Sequence, residues 1–254
     1  MTDLALRPRS TTELVDAAFQ VFRRDPVQFI VATAAVYVPW LVVRLVFDLG
    51  VSSDLPSGQQ LAVAASAGAV VYALIGGVLT VIASDVYLGA PADAARALRV
   101  SFGRVVPLLA TSVVTLLLVV AGAILLLVPA LYPLARFFAV RQVVVLENAD
   151  SVQALARSSQ LSLGVKRHVL NTLLLVLGIT TAISFGAGLL FGLIPSRVLF
   201  NVALTAVHIM LYPFLGITET LLYYDIRIRK EGFDVEYLAA STPPVTAEEP
   251  GEPL

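Results

Sequence analysis

The chain has 254 residues, 58% of them hydrophobic and only 14% charged, with a net charge of −1. A soluble domain carries about 45–50% apolar and about 25% charged residues, so this chain cannot cover its own surface with polar groups and reads as a membrane protein. The charge balance excludes a nucleic-acid binder, which needs a basic excess to neutralise phosphates, and the lack of any cysteine excludes disulfides, thiolate metal sites and cysteine nucleophiles.

At the start, "MTDLALRPRSTTELVDAAFQ" has no compact apolar core or small-residue cleavage site, and it carries Asp3 and Glu13. It is not read as a signal peptide, so the first apolar segment is expected to be retained. Six segments approach the roughly 20 apolar residues that cross about 30 Å of hydrocarbon as a helix. They are 27–43, 61–84, 105–128, 130–146, 169–194 and 199–222. A lone strand would leave its backbone unpaired in lipid, so each is predicted to be helical. With the N-terminus in the cytoplasm, thirteen of the seventeen Lys and Arg residues fall on that side, which places both termini there.

Short stretches before the odd-numbered spans resemble one another: "TELVDAAFQVFRRDP", "ADAARALRVSFGRVVP" and "SVQALARSSQLSLGVKR". In the first, Leu14, Ala18 and Phe22 recur at helical spacing; in the second, Ala94, Ala95, Leu98 and Phe102 share a face. These are predicted to be amphipathic helices in the cytoplasmic interface. Ser10 with Glu13, and Asp150 with Gln153, have the spacing of a capping box. The predicted fold is therefore all-α: a polytopic bundle of six transmembrane helices with three short amphipathic interfacial helices. Residues 1–238 form one membrane domain of three units, each an interfacial helix plus a helical hairpin, starting near 10, 91 and 150. Residues 239–254, rich in proline and glutamate, are predicted to be a disordered acidic tail. "DLGVSSDLPSGQQ" is an outer connector.

The fourth span is the most polar. Arg136 and Arg141 lie within it, and Glu147 closes its inner end. An arginine at mid-bilayer costs about 2.5–3.5 kcal/mol on insertion scales, so each needs a partner, a cavity or an exit. Arg141 is expected to snorkel toward the inner surface past Glu147. Arg136, nearer the middle, is either an anion or lipid-headgroup site or one half of a structural ion pair. Asp85 and Glu219 are the available carboxylates. Glu219 follows His208 by eleven residues, about three turns, so the two project alike and either relay protons or serve separate structural bonds, His208 to a neighbouring helix and Glu219 to Arg141 or Arg136. Two histidines without cysteine form no metal-ligand spacing. Gly188 and Gly192 form a GxxxG that suggests close packing in the fifth span.

The last apolar run ends in "LLYYDIRIRKEGFDVEYL". Tyr223 and Tyr224 are expected at headgroup depth. Arg227, Arg229 and Lys230 then mark the inner helix end, Asp225 and Arg229 form an i,i+4 pair, and Gly232 stands at the C-cap. Phe233 and the apolar residues after it return to the bundle or to a partner. This stretch, with "RPRSTTELVDAAFQVFRRDP" and "VPALYPLARFFAVRQVVVLENADSVQALARSSQLSLG", resembles a group of uncharacterised prokaryotic multi-pass membrane proteins. They are similar to the membrane domain that accompanies glycerophosphoryl diester phosphodiesterases. The resemblance covers most of residues 7–238 and implies a protein of the bacterial cytoplasmic membrane. The catalytic barrel of those enzymes, with its metal-binding acids and histidines, has no counterpart in this sequence, so the resemblance implies no phosphodiesterase activity.

With no nucleophile–base pair, phosphate loop or metal motif, the chain is expected to be non-enzymatic and without cofactors. The leading expectation is a scaffold or partner-binding membrane subunit, contacting lipids and a protein partner or a second copy through Tyr223–Phe233. The alternative is a transporter or lipid- or anion-handling permease that uses Arg136, His208 and Glu219.

Overall fold

A computed structural model describes residues 6–47, 57–125 and 127–241, and among these the secondary structure is entirely helical. In chain order the helices are α1 (Thr11–Arg24), α2 (Pro26–Val46), α3 (Gly58–Tyr87), α4 (Ala94–Gly103), α5 (Val105–Leu125), α6 (Leu127–Arg136), α7 (Val140–Leu146), α8 (Ser151–Ser162), α9 (Lys166–Phe191), α10 (Arg197–Glu231) and α11 (Phe233–Ser241). Six stretches are long and apolar enough to cross a membrane: α2, the part of α3 from Ser66, α5, the combined α6–α7 region from Pro129, α9 and α10. The protein is an integral, multi-pass helical membrane protein. Most of the outer connector and the chain beyond Ser241 lie outside the described residues, but the first residues assigned to the tail, 239–241, continue α11.

Local chemistry sets the helix starts. Ser10 Oγ accepts the Glu13 N–H at 3.4 Å, and the Glu13 carboxylate accepts the Ser10 N–H at 2.8 Å, closing a full capping box. Asp150 and Gln153 close another. A third, between Ser57 and Gln60, opens α3. Asp25 both ends α1 and caps α2, whose first residue is Pro26. Proline suits that position because its missing N–H would have no helical partner there.

Three short helices, α1, α4 and α8, each pack one buried face against the rest of the bundle. α1 buries Leu14, Ala17, Ala18 and Val21, while Asp16, Gln20 and Arg23 are exposed. α8 buries Ala154, Ser158, Leu161 and Ser162. α4 is rotated from its expected setting: Ala94, Ala97 and Ser101 are buried, whereas Ala95 and Phe102 are exposed. The rotation follows from Gly77 of α3, where an added Cβ would fall 3.1 Å from Ser101 Oγ. The small face of α4 seats on a glycine and leaves the bulkier Phe102 outside.

Helices α3 and α10 form the centre, and Gly216 of α10 lets Leu79 of α3 approach to within 2.6 Å of where its Cβ would stand. That is the close approach small residues permit in membrane bundles. The GxxxG of α9 does not do this within the chain. A Cβ on Gly188 would meet nothing within 4 Å, and one on Gly192 would meet only its own helix. The glycines that set the packing, Gly76, Gly77, Gly122 and Gly216, lack that spacing.

One span differs from its predicted form. The fourth is broken at residues 137–139 into α6 and α7. Ser158 of α8 plugs the break, accepting the Ala139 N–H at 3.1 Å and donating to the Arg136 carbonyl at 3.2 Å, which replaces the helical bonds lost there. The sixth belongs to a longer helix that ends at the predicted Gly232 cap. α10 runs for 35 residues, about 52 Å at 1.5 Å per residue, and its last third is enclosed by α1, α3, α8 and α9.

Candidate functional site

The end of α10 is a hub, turned inward where a partner-facing surface was expected. Tyr223 is fully buried, and Tyr224 and Asp225 nearly so, so the tyrosines do not anchor the helix among headgroups. Tyr223 donates to Glu147 at 2.8 Å, and Tyr224 shares a 2.6 Å hydrogen bond with Ser84. Asp225 accepts the Arg9 backbone N–H at 2.6 Å and the Arg229 guanidinium at 2.8 Å, and pairs with His168 Nε2 at 3.0 Å. One carboxylate thus ties α1, α9 and α10 together. Lys230 donates to the carbonyls of Gln160, Leu161 and Leu163, satisfying the open C-terminal end of α8. Arg157 joins Glu147 to Glu231, and Arg227 holds Glu231 one turn below. Gly232 adopts the left-handed conformation (φ 66°) that ends α10, as its sequence position predicts, and Phe233 folds back onto Tyr224 and Arg227.

Deeper in the bundle, a second cluster faces a cavity of about 110 Å³. Arg141 of α7 pairs with Glu219 of α10 at 2.5 Å, and their side chains are only 12% and 11% exposed. The Arg141 guanidinium also lies 4.7 Å from the centre of the Tyr72 ring, a cation–π contact. Thr111, Ser112 and Thr115 of α5 complete the polar wall. Thr111 spends its hydroxyl on the Pro107 and Leu108 carbonyls, whereas the buried Ser112 Oγ has no hydrogen-bond partner among the described residues. A neighbouring cavity of about 250 Å³ runs between α9 and α10, lined by Thr180, Thr181, Ser184 and His208. Leu177 and Leu215 wall both cavities.

Of the two arginines weighed as partners of Glu219, Arg141 is the one that pairs with it. Arg141 does not snorkel; it is the buried ion-pair partner. Arg136 reaches neither Asp85 nor Glu219. Because the helix breaks just after it, its Nε donates to Ser159 at 3.0 Å and its NH1 to the Tyr132 hydroxyl at 3.1 Å. Asp85 pairs with Arg96 of α4 instead, and Glu147 belongs to the hub. His208 and Glu219 form no direct line: His208 packs against Tyr37 and Tyr212, with ring centres 6.2 and 5.4 Å away.

Sequence reasoning missed Tyr72, Ser112, Ser158 and His168. Only His168 carried a usable signal, being one of two titratable rings and level with the basic inner ends. The comparisons give no further name to the arrangement: no protein-family model, curated protein or solved structure matches the chain.

Proposed function

We propose that the protein is a permease of the bacterial cytoplasmic membrane that moves a small anion together with a proton through the Arg141–Glu219 cavity. α1, α4 and α8 lie at the cytoplasmic face, a placement supported by the thirteen basic residues on that side. The observation that carries the reading is the buried Arg141–Glu219 pair on the wall of a polar cavity. A buried ion pair is neutral as a unit, and leaving one member uncompensated costs several kcal/mol. An anion that entered alone and paired with Arg141 would strand the Glu219 carboxylate. An anion that arrives with one proton on Glu219 keeps the site neutral throughout. The cavity has room for a few waters or one small anion beside the pair. The His208 cavity continues the path past Leu177 and Leu215.

The scaffold reading loses its main support, because Tyr223, Tyr224 and Asp225 are spent inside the chain. The test is uptake of radiolabelled phosphate and of succinate into proteoliposomes under an inward proton gradient, with a trapped pH dye reporting lumen acidification. Coupled uptake is expected, abolished by Arg141→Gln and released from the proton gradient by Glu219→Gln. If neither anion is taken up or protects the protein thermally in an Arg141-dependent way, the reading fails.

A further inference from the structure

The Arg136 cluster lies outside the cavity and is independent of it. Arg136 ends α6, with its guanidinium over Phe137 (5.5 Å) and Tyr132 (5.8 Å). Lys166, the first residue of α9, places its ammonium 4.3 Å from the centre of the same Tyr132 ring. Two cations thus share one aromatic side chain, and among the described residues neither has a carboxylate within ion-pair distance. The acids of the α10 hub are paired elsewhere: Glu147 and Glu231 with Arg157, and Asp225 with His168 and Arg229. The N-terminus of α9 has no side-chain cap, so its first N–H groups add a third positive element beside the two side chains.

Juxtaposed like charges with no counter-ion repel one another, and an anion between them removes that cost. We propose that Arg136 and Lys166, with the Tyr132 hydroxyl, bind the phosphate of an anionic membrane lipid in the groove between α6 and α9. The lipid source follows from the surroundings. Tyr132 is 51% exposed, and Leu163, three residues before Lys166, is 58% exposed, so apolar surface for an acyl chain adjoins the charged end. Guanidinium forks and ammonium groups between helices on the cytoplasmic side are the chemistry that holds lipid phosphates. Ser159 fixes the Arg136 Nε and Tyr132 takes one hydrogen of NH1, which leaves the remaining guanidinium N–H groups to the ligand.

The test is native mass spectrometry of the full chain released from nanodiscs that contain phosphatidylglycerol and phosphatidylcholine. The protein should retain phosphatidylglycerol preferentially. The Arg136→Gln/Lys166→Gln double variant should bind it about 30-fold more weakly, at about fivefold per cation. Arg99→Gln, which removes an exposed cation from α4, should leave retention unchanged. Equal retention by the double variant overturns the proposal, and displacement of the lipid by excess inorganic phosphate would identify a soluble-anion site instead. Should the double variant not fold, Lys166→Gln alone must still show the fivefold loss; unchanged retention there is equally fatal.

Discussion

Gly76 of α3 faces Arg141 of α7 so closely that a Cβ built on the glycine would lie 2.4 Å from the Arg141 Cδ. The missing side chain is the space the arginine occupies on its way to Glu219. Gly76→Ala should therefore push the guanidinium off its partner. It is expected to destabilise the protein by about 1–3 kcal/mol, as overpacking does, although alanine is the better helix former. Gly178→Ala, where a Cβ would meet nothing within 4 Å, should be neutral or stabilising by up to about 1 kcal/mol. Unfolding of both variants in mixed micelles separates the two outcomes.

Asp225 is buried and holds groups from three helices. Asp225→Ala leaves the Arg9 N–H and His168 without their acceptor, whereas the half-exposed Arg229 can turn to water. A loss of about 3 kcal/mol is expected, with faster hydrogen exchange in the first turn of α1. Arg229→Gln should cost under about 1 kcal/mol, as for a solvent-screened pair. A reversed ranking would show that the carboxylate is not the hub.

The break in the fourth span depends on one hydroxyl. Ser158→Ala removes the partner of both the Ala139 N–H and the Arg136 carbonyl, an expected cost of about 1–3 kcal/mol. Exchange of the Ala139 amide, followed by mass spectrometry, should speed up in Ser158→Ala and stay slow in Ser159→Ala, which loses only the Arg136 side-chain bond.

The start of α1 should respond to acid. Glu13 is held down to about 2 by the Ser10 backbone N–H and by Arg7, below the roughly 4.3 of a free glutamate. A carboxyl depressed on folding contributes stability that is complete above the unfolded value and is lost as pH falls through the folded one. The difference in amide exchange at residues 11–14 between the native protein and Glu13→Ala should be constant above about pH 5 and shrink toward pH 2. A pH-independent difference would mean that the carboxylate is not the active cap.

Several features were legible because their causes are local. Apolar runs announce the spans, serine or aspartate three residues before glutamate or glutamine announces a helix start, and a glycine after basic residues announces the end of α10. Each depends on neighbours within one turn, and composition alone requires a membrane. The buried ion pair was legible only as Glu219 with Arg141 or Arg136, and which arginine it takes was not. Arg141 and Glu219 are 78 residues apart, and both lie in spans too uniformly apolar for periodicity to show which face turns inward. Arg136 looked the deeper of the two only on the assumption of an unbroken helix. A serine on another helix permits the break at residues 137–139, and with that break Arg136 turns to Ser159 and Tyr132 while Arg141 meets Glu219. The tyrosines of "LLYYDIRIRK" carry the composition of an interfacial anchor and become core because α1, α3, α8 and α9 close around them. Local chemistry determined where helices begin and that they lie in a membrane. Contacts between distant segments, set by where glycines admit a neighbour, decided which charges are buried and what they face.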